Sequence, residues 1–222
     1  MSPWWVRLFT VAAFVPAACG GSRAPDSVAP RPAGTFRSPA EMVAADGGRP
    51  PYTAADVHFM SGMIPHHAQA VLIAGWAASH DAGSAVKILC ERIVVAQQDE
   101  IATMQRWLRE RGQRVPPADA THLRMTMNGM EHDMLMPGML NAQELARLDQ
   151  ARGGEFDRLF LSYMIRHHEG AVTMVDQLFG SAGGAGQDET VFRLASDIYA
   201  DQTTEIERMQ KMLAAVSDGI RR

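Results

Sequence analysis

The sequence predicts an all-α four-helix bundle built from one helical hairpin used twice, and three observations predict it. First, Asp56-Val57-His58-Phe59-Met60-Ser61-Gly62-Met63-Ile64-Pro65-His66-His67 is rewritten as Asp157-Arg158-Leu159-Phe160-Leu161-Ser162-Tyr163-Met164-Ile165-Arg166-His167-His168. Asp, Phe, Met-Ile, one residue and His-His stay in register, followed each time by Ala-Val (Ala70-Val71, Ala171-Val172). Second, Gln97, Glu100-Ile101 and Met104 return as Gln202, Glu205-Ile206 and Met209, again at helical spacing. Third, no stretch shows a convincing period-2 alternation, so no sheet is expected. Two hairpins, each with a buried stripe, pack as a four-helix bundle.

The elements follow in chain order. Near the N-terminus, Arg7 is the one early positive charge, Leu8 to Val15 is a short apolar run, and Pro16-Ala17-Ala18 precedes Cys19. This reads as a signal peptide over 1–18, too short to span a bilayer as a mature helix. A cysteine directly after small residues resembles a bacterial lipoprotein processing site. Cys19 is then the lipidated first residue of a membrane-anchored protein of the cell envelope or periplasm. Plain secretion is the alternative, since Pro16 is unusual in that pattern; either way the mature chain lies outside the cytoplasm. Residues 19–52, rich in Pro, Gly, Ser and Ala, suit a flexible tether.

Thr53 with Asp56 reads as a capped start, opening a helix over about 54–79. A second helix spans about 84–111 and ends near Gly112. A long connection, 113–140, begins Val115-Pro116-Pro117 and holds a methionine cluster. Asn141 with Glu144 opens a short helix to about Ala151. The third long helix covers about 154–179, Ser181 to Gly186 is a loop, and the fourth runs over about 188–216. The bundle domain is therefore 53–218, with repeats at about 53–111 and 154–216. The long link leaves the direction of the second pair undetermined.

Composition narrows the function. The chain has 222 residues, 46% of them hydrophobic, and a net charge of −4, which suits a globular domain with a real core. With no basic stripe interleaved with aromatics, nucleic acid is not an expected partner. Methionine is the anomaly, at fifteen residues, with a cluster between Met125 and Met139. Met fills irregular helical cores, which explains scattered methionines better than a cluster in a loop.

On a helix, Asp56, Met60, Met63 and His67 share one face, and Met63 neighbours both histidines. The second copy presents Asp157, Leu161, Met164, His167 and His168 alike. Thioether suits Cu(I), imidazole suits copper, zinc, iron or nickel, and carboxylate suits harder ions. A mixed Met/His set points first at copper, Cu(I), with other transition metals left open. Each residue has a second reading: the histidines and Met63 and Met164 as core, Asp56 and Asp157 as first-turn acids favoured by the helix dipole. Glu100 and Glu205 are candidates to pair with the histidines. In the connection, Met130, His132, Met134, Met136 and Met139 form a second donor set, or else a Met-rich flap over one end of the bundle. Cys90 is a buried hydrophobe or, on one stripe with Gln97 and Met104, a ligand. His58 and His80 have no repeat partner and read as incidental.

Several of these motifs together resemble the domain-of-unknown-function-305 family. They are Phe59 through Met63-Ile64-x-His66-His67, Phe156 through Met164-Ile165-x-His167-His168-Glu169-Gly170-Ala171, Gln97-x-x-Glu100-Ile101-x-x-Met104-x-x-Trp107-Leu108, and Pro137-Gly138-Met139-Leu140. The resemblance covers about 53–213 and implies a ferritin-like four-helix bundle, usually exported, with some members implicated in copper or silver binding through Met and His. Ala68-Gln69 departs from the Glu-Gly that follows the second doublet, and Met212 stands where the first hairpin has Trp107.

The expected function is an extracytoplasmic Cu(I)-binding protein for copper buffering, transfer or resistance, with Ag(I) as a mimic, served by a copper transporter or chaperone. The alternatives are a ferritin-like di-metal oxidase and a metal-free helical interaction module. Glu-x-x-His, expected of such oxidases, is absent from both doublet helices. No nucleophile–base pair or phosphate loop appears, so a catalytic role is not expected.

Overall fold

The computed structural model describes residues 52–127, 130–181 and 185–220, without the side chains of 125–127 and 218–220. The expected signal peptide, Cys19 and the tether lie outside the described residues. Four long helices are present: α1 (Ala54–Gly75, continued by a 3-10 turn at Trp76–Ala78), α2 (Ser84–Glu110), α4 (Gly153–Phe179) and α5 (Glu189–Ile220). A short α3 (Ala142–Gln150) precedes α4. The protein is all-α in class, as expected. Among the described residues, no helix is long and apolar enough to cross a membrane.

Both predicted capping boxes form. The Thr53 hydroxyl accepts from the Asp56 N–H while the Asp56 carboxylate accepts from the Thr53 N–H, and Asn141 and Glu144 do the same for α3. α1 continues through Pro65, which is itself buried.

One expectation is corrected. Strand β1 (Leu123–Met127) pairs antiparallel with β2 (Met130–Met134), from Leu123↔Met134 to Met127↔Met130. Every β2 residue is exposed, so no face of that strand joins the core. The alternation is nevertheless written in the sequence, as Met130-x-His132-x-Met134 between acids, with Asn128-Gly129 between the strands. That dipeptide favours two-residue hairpins. The run is short, and methionine is not a strand signature.

α1 packs on α2, α4 on α5, and the two hairpins meet through α1 against α4. Their acids fasten them. Asp56 accepts from the Gly186 N–H (2.6 Å), just ahead of α5. Asp157 accepts from the N–H of Gly83 (3.1 Å to each oxygen), the residue that begins α2. Each hairpin thus holds the start of the other's second helix. Asp188 caps α5 through the Thr190 and Val191 amides and takes hydrogen bonds from Trp107 of α2 and from Arg111 at its C-terminal cap.

The core divides into two clusters. One holds Phe59, Met63, Met104, Trp107, Met174 and Ile198; the other holds Ile73, Leu89, Ile93, Phe156, Met164 and Met209. In every long helix the residues of one cluster precede those of the other, and buried polar side chains lie between. The helical core is apolar at both ends and polar in the middle.

Candidate metal centre

The polar layer contains His66 and His67 from α1, Gln97 and Glu100 from α2, His167 and His168 from α4, and Gln202 and Glu205 from α5. All eight recur between the two hairpins. They arrive at one level because each pair sits midway along its helix, between the two apolar stripes. All four imidazoles have no exposed surface.

The hydrogen bonds assign protons. His66 Nε2 lies 3.0 Å from the Pro137 carbonyl, which only accepts, so Nε2 carries the hydrogen and Nδ1 keeps its lone pair. His168 Nε2 donates to Glu205 Oε2 at 2.8 Å, with the same result. His67 Nε2 is 2.7 Å from Glu100 Oε2, close but not aligned as a hydrogen bond, since that nitrogen has no bonded partner. The Nδ1 atoms of all four rings are unpartnered, as are His167 Nε2, both amide atoms of Gln97 and Gln202 Oε1. A buried polar atom without a partner costs about 1–3 kcal/mol, so this concentration marks the layer as a candidate binding site.

Burial, then the neighbouring His67, holds the His66 imidazole well below its ordinary value. Burial, then His66 and His168, does the same to His167. His168 is also lowered by burial, against the opposing pull of Glu205. These rings are neutral near pH 7 and so present lone pairs. A metal-binding imidazole typically donates its other nitrogen to a carboxylate or carbonyl, as His66 and His168 do.

A strap formed by residues 136–140 closes the layer. Gln69 fastens it twice, donating to the Leu140 carbonyl (3.0 Å) and accepting from the Leu140 N–H (2.7 Å). Pro137 receives His66, and Met136 N–H donates to Met139 Sδ at 3.2 Å. Gly138 sits against the α4 backbone at φ 78°, where a Cβ would come 3.0 Å from Gly170 Cα and 3.1 Å from His167 Cα.

The structure brings His66, His67, His167 and His168 together. Met63 and Met164 are buried, one in each core cluster, a turn before their histidines. Asp56 and Asp157 stand about 15 Å along their helices from the doublets and are committed to backbone amides. The connection divides: Met136 and Met139 are buried in the strap, while Met130, His132 and Met134 lie exposed on β2. Cys90 is buried, and burial, then Asp157 and Glu91, pushes its thiol up to about 12, which suits the small-hydrophobe reading. His80, read as incidental, is a buried junction: it stacks on Trp76 and bonds Ser79 Oγ and the Asp149 carbonyl. The role of Gln69 was also missed, although its departure from the repeat marked it. Among the described residues, no three His, Cys, Asp or Glu side chains converge as a metal cage; the imidazoles adjoin in the order His67, His66, His167, His168.

Asp157→Ala separates anchor from ligand. Removing the acceptor of the Gly83 N–H should lower stability by about 1–2 kcal/mol in urea denaturation without changing the outcome of a Cu(I) titration. A selective loss of affinity would make Asp157 a ligand after all.

Comparison with known proteins adds relatives. The model of the DUF305 family, a domain of unknown function, matches residues 56–213. A DUF305 protein from Streptomyces coelicolor, designated as secreted, is 27% identical with a TM-score of 0.61, over 73% of this chain and 94% of that one. A DUF305 fragment from Deinococcus radiodurans is 28% identical with a TM-score of 0.60, over 75% and 99%. CopM in its Cu(II)-bound and Cu(I)-bound forms is 27% identical, with TM-scores of 0.55 and 0.54, over 72% of this chain and 96% of that one. Uncharacterized protein L153 of Acanthamoeba polyphaga mimivirus is 36% identical over 56 residues, and the match spans 37% of its length.

Proposed function

The chain belongs to the DUF305 family, and from that membership we propose that it is an extracytoplasmic protein binding Cu(I), with Ag(I) as its mimic, for copper buffering, transfer or resistance. One observation carries the reading: four fully buried imidazoles with unpartnered Nδ1 atoms, two of them held at Nε2 by a carbonyl or a carboxylate. Imidazole with nearby thioether suits copper, and Met63 and Met164 are the thioethers nearest the doublets in sequence. CopM, similar in fold, has been solved with copper bound, and the Streptomyces relative's designation as secreted supports placement outside the cytoplasm.

In this reading His66, His67, His167 and His168 are the ligands, and Glu100 and Glu205 orient His67 and His168 from behind. The strap, through Pro137, Gln69 and Leu140, keeps water from the layer. Exposed Met130, His132 and Met134 give an exchange surface for a copper transporter or chaperone, and Cys19 gives a lipid anchor. A ferritin-like di-metal oxidase fits less well, because Asp56 and Asp157, the acids repeated in both doublet helices, accept from backbone amides instead.

The test is metal content and anaerobic Cu(I) titration of the full chain. The comparison is the variant carrying His66→Ala, His67→Ala, His167→Ala and His168→Ala. The parent should bind Cu(I) stoichiometrically, and the variant should lose that binding by at least about 100-fold in affinity, the scale of removing ligand groups. Undiminished binding in a folded variant would move the site to the methionines; iron co-purifying without any Cu(I) affinity would favour the oxidase.

A further inference from the structure

Taking the copper reading as its basis, we infer that the buried layer holds two Cu(I) ions, one on His66–His67 and one on His167–His168, rather than a single ion shared by four histidines. The argument is geometric. A metal–imidazole bond of about 2 Å lies in the ring plane and places the ring centroid roughly 3 Å from the ion. Two imidazoles on one ion therefore have centroids about 5 Å apart at a tetrahedral angle and about 6 Å apart when opposed.

Within the doublets, the separations are 6.1 Å for His66–His67 and 6.3 Å for His167–His168, with the same 54° between ring planes in each. Both separations are wide enough for one ion between the two rings of a doublet. Between the doublets, His66 and His167 approach to 3.8 Å with a 37° tilt. That is too close for two rings bound to a common ion; they stack on one another instead. A single ion among the four would have to prise this contact apart.

The surroundings are doubled in the same way. Glu100 lies 2.7 Å from His67 within the first hairpin, and Glu205 lies 2.8 Å from His168 within the second. Each half has its own buried methionine one turn before the doublet, Met63 or Met164. Each half also has its own buried glutamine with unpartnered atoms, Gln97 or Gln202. One ion in one half would leave the unpartnered nitrogens of the other half unpaid, at the cost given above.

The experiment counts ions in the full chain by native mass spectrometry during anaerobic Cu(I) titration against a chromogenic chelator. Two double variants are compared with the parent: His66→Gln with His67→Gln, and His167→Gln with His168→Gln. Each should lose one Cu(I), and the quadruple variant should lose two. Counting differences from the parent removes any copper carried by the exposed methionines. If either double variant loses as much as the quadruple, the doublets share one site: the two-ion inference falls and the copper reading stands. If no variant loses Cu(I), the two-ion inference and the histidine ligand set both fall, and the copper moves to the methionines. Should circular dichroism show a double variant unfolded, the single variants His67→Gln and His168→Gln take its place. Each should then weaken one of two binding steps at least tenfold, and equal weakening of a single common step would overturn the inference.

Discussion

Gly170→Ala is expected to cost about 2–4 kcal/mol of stability, because the new methyl group would collide with main chain that cannot yield. A Cβ at position 170 would overlap the Pro137 carbonyl, lie 2.5 Å from its carbon and 2.8 Å from Gly138 Cα. No flexible side chain is involved, so the strap must lift from α4. With it would go the His66–Pro137 hydrogen bond and the paired bonds between Gln69 and Leu140. The buried layer would then open to water. Urea denaturation of the parent and the variant measures the cost. Gly154→Ala is the control: it lies in the first turn of α4, where a Cβ would meet nothing within 4 Å. It should stay within about 0.5 kcal/mol of the parent or gain slightly. If Gly170→Ala is equally silent, the strap does not bear on α4 as described.

Lowering the pH from 7.5 to 5 should destabilise the metal-free protein through His66 and His167. In the unfolded chain these rings titrate near 6.5; in the folded protein both are held well below that. The unfolded state therefore binds more protons as the pH falls through 6.5. Stability is fully present above that value and is lost below it, until the folded rings themselves protonate. A ring that stays neutral at pH 5 contributes about 2 kcal/mol to the loss, and His168, also lowered, adds to it. The raised values of Asp157 and Asp201 act in the opposite direction, but nearer the carboxylate range. Denaturant midpoints across this window check the prediction. A flat profile would mean that the rings are hydrated and titrate normally. Replacing all four histidines with glutamine should flatten the profile in any case.

Much of the protein was legible in the chain because it rests on short-range rules. Helix starts at Thr53 and Asn141 follow from a polar side chain reaching an amide three residues on. The repeat of Asp, Phe, Met-Ile and His-His, with its companion of Gln, Glu-Ile and Met, fixed which residues would share a level once the helices paired. Hence the four histidines and the two glutamates could be named before their contacts were known.

What the chain did not disclose depends on partners far away along it. Asp56 and Asp157 looked like further donors on the histidine face, yet each answers an amide on the other hairpin, 130 and 74 residues distant. The methionine cluster read as one donor tract, but two of its members are buried in a strap while Met130 and Met134 remain exposed on a strand. A five-residue strand with no buried face has too little apolar contrast to declare itself. The sequence by itself determined the helices, their duplication and the chemistry gathered at mid-height, since periodicity and capping are local. Only the tertiary structure decided that the doublets meet through His66 against His167 beneath a glycine-seated strap. Close backbone approach and ring separation are set by packing between segments, and a residue pattern carries no record of distance.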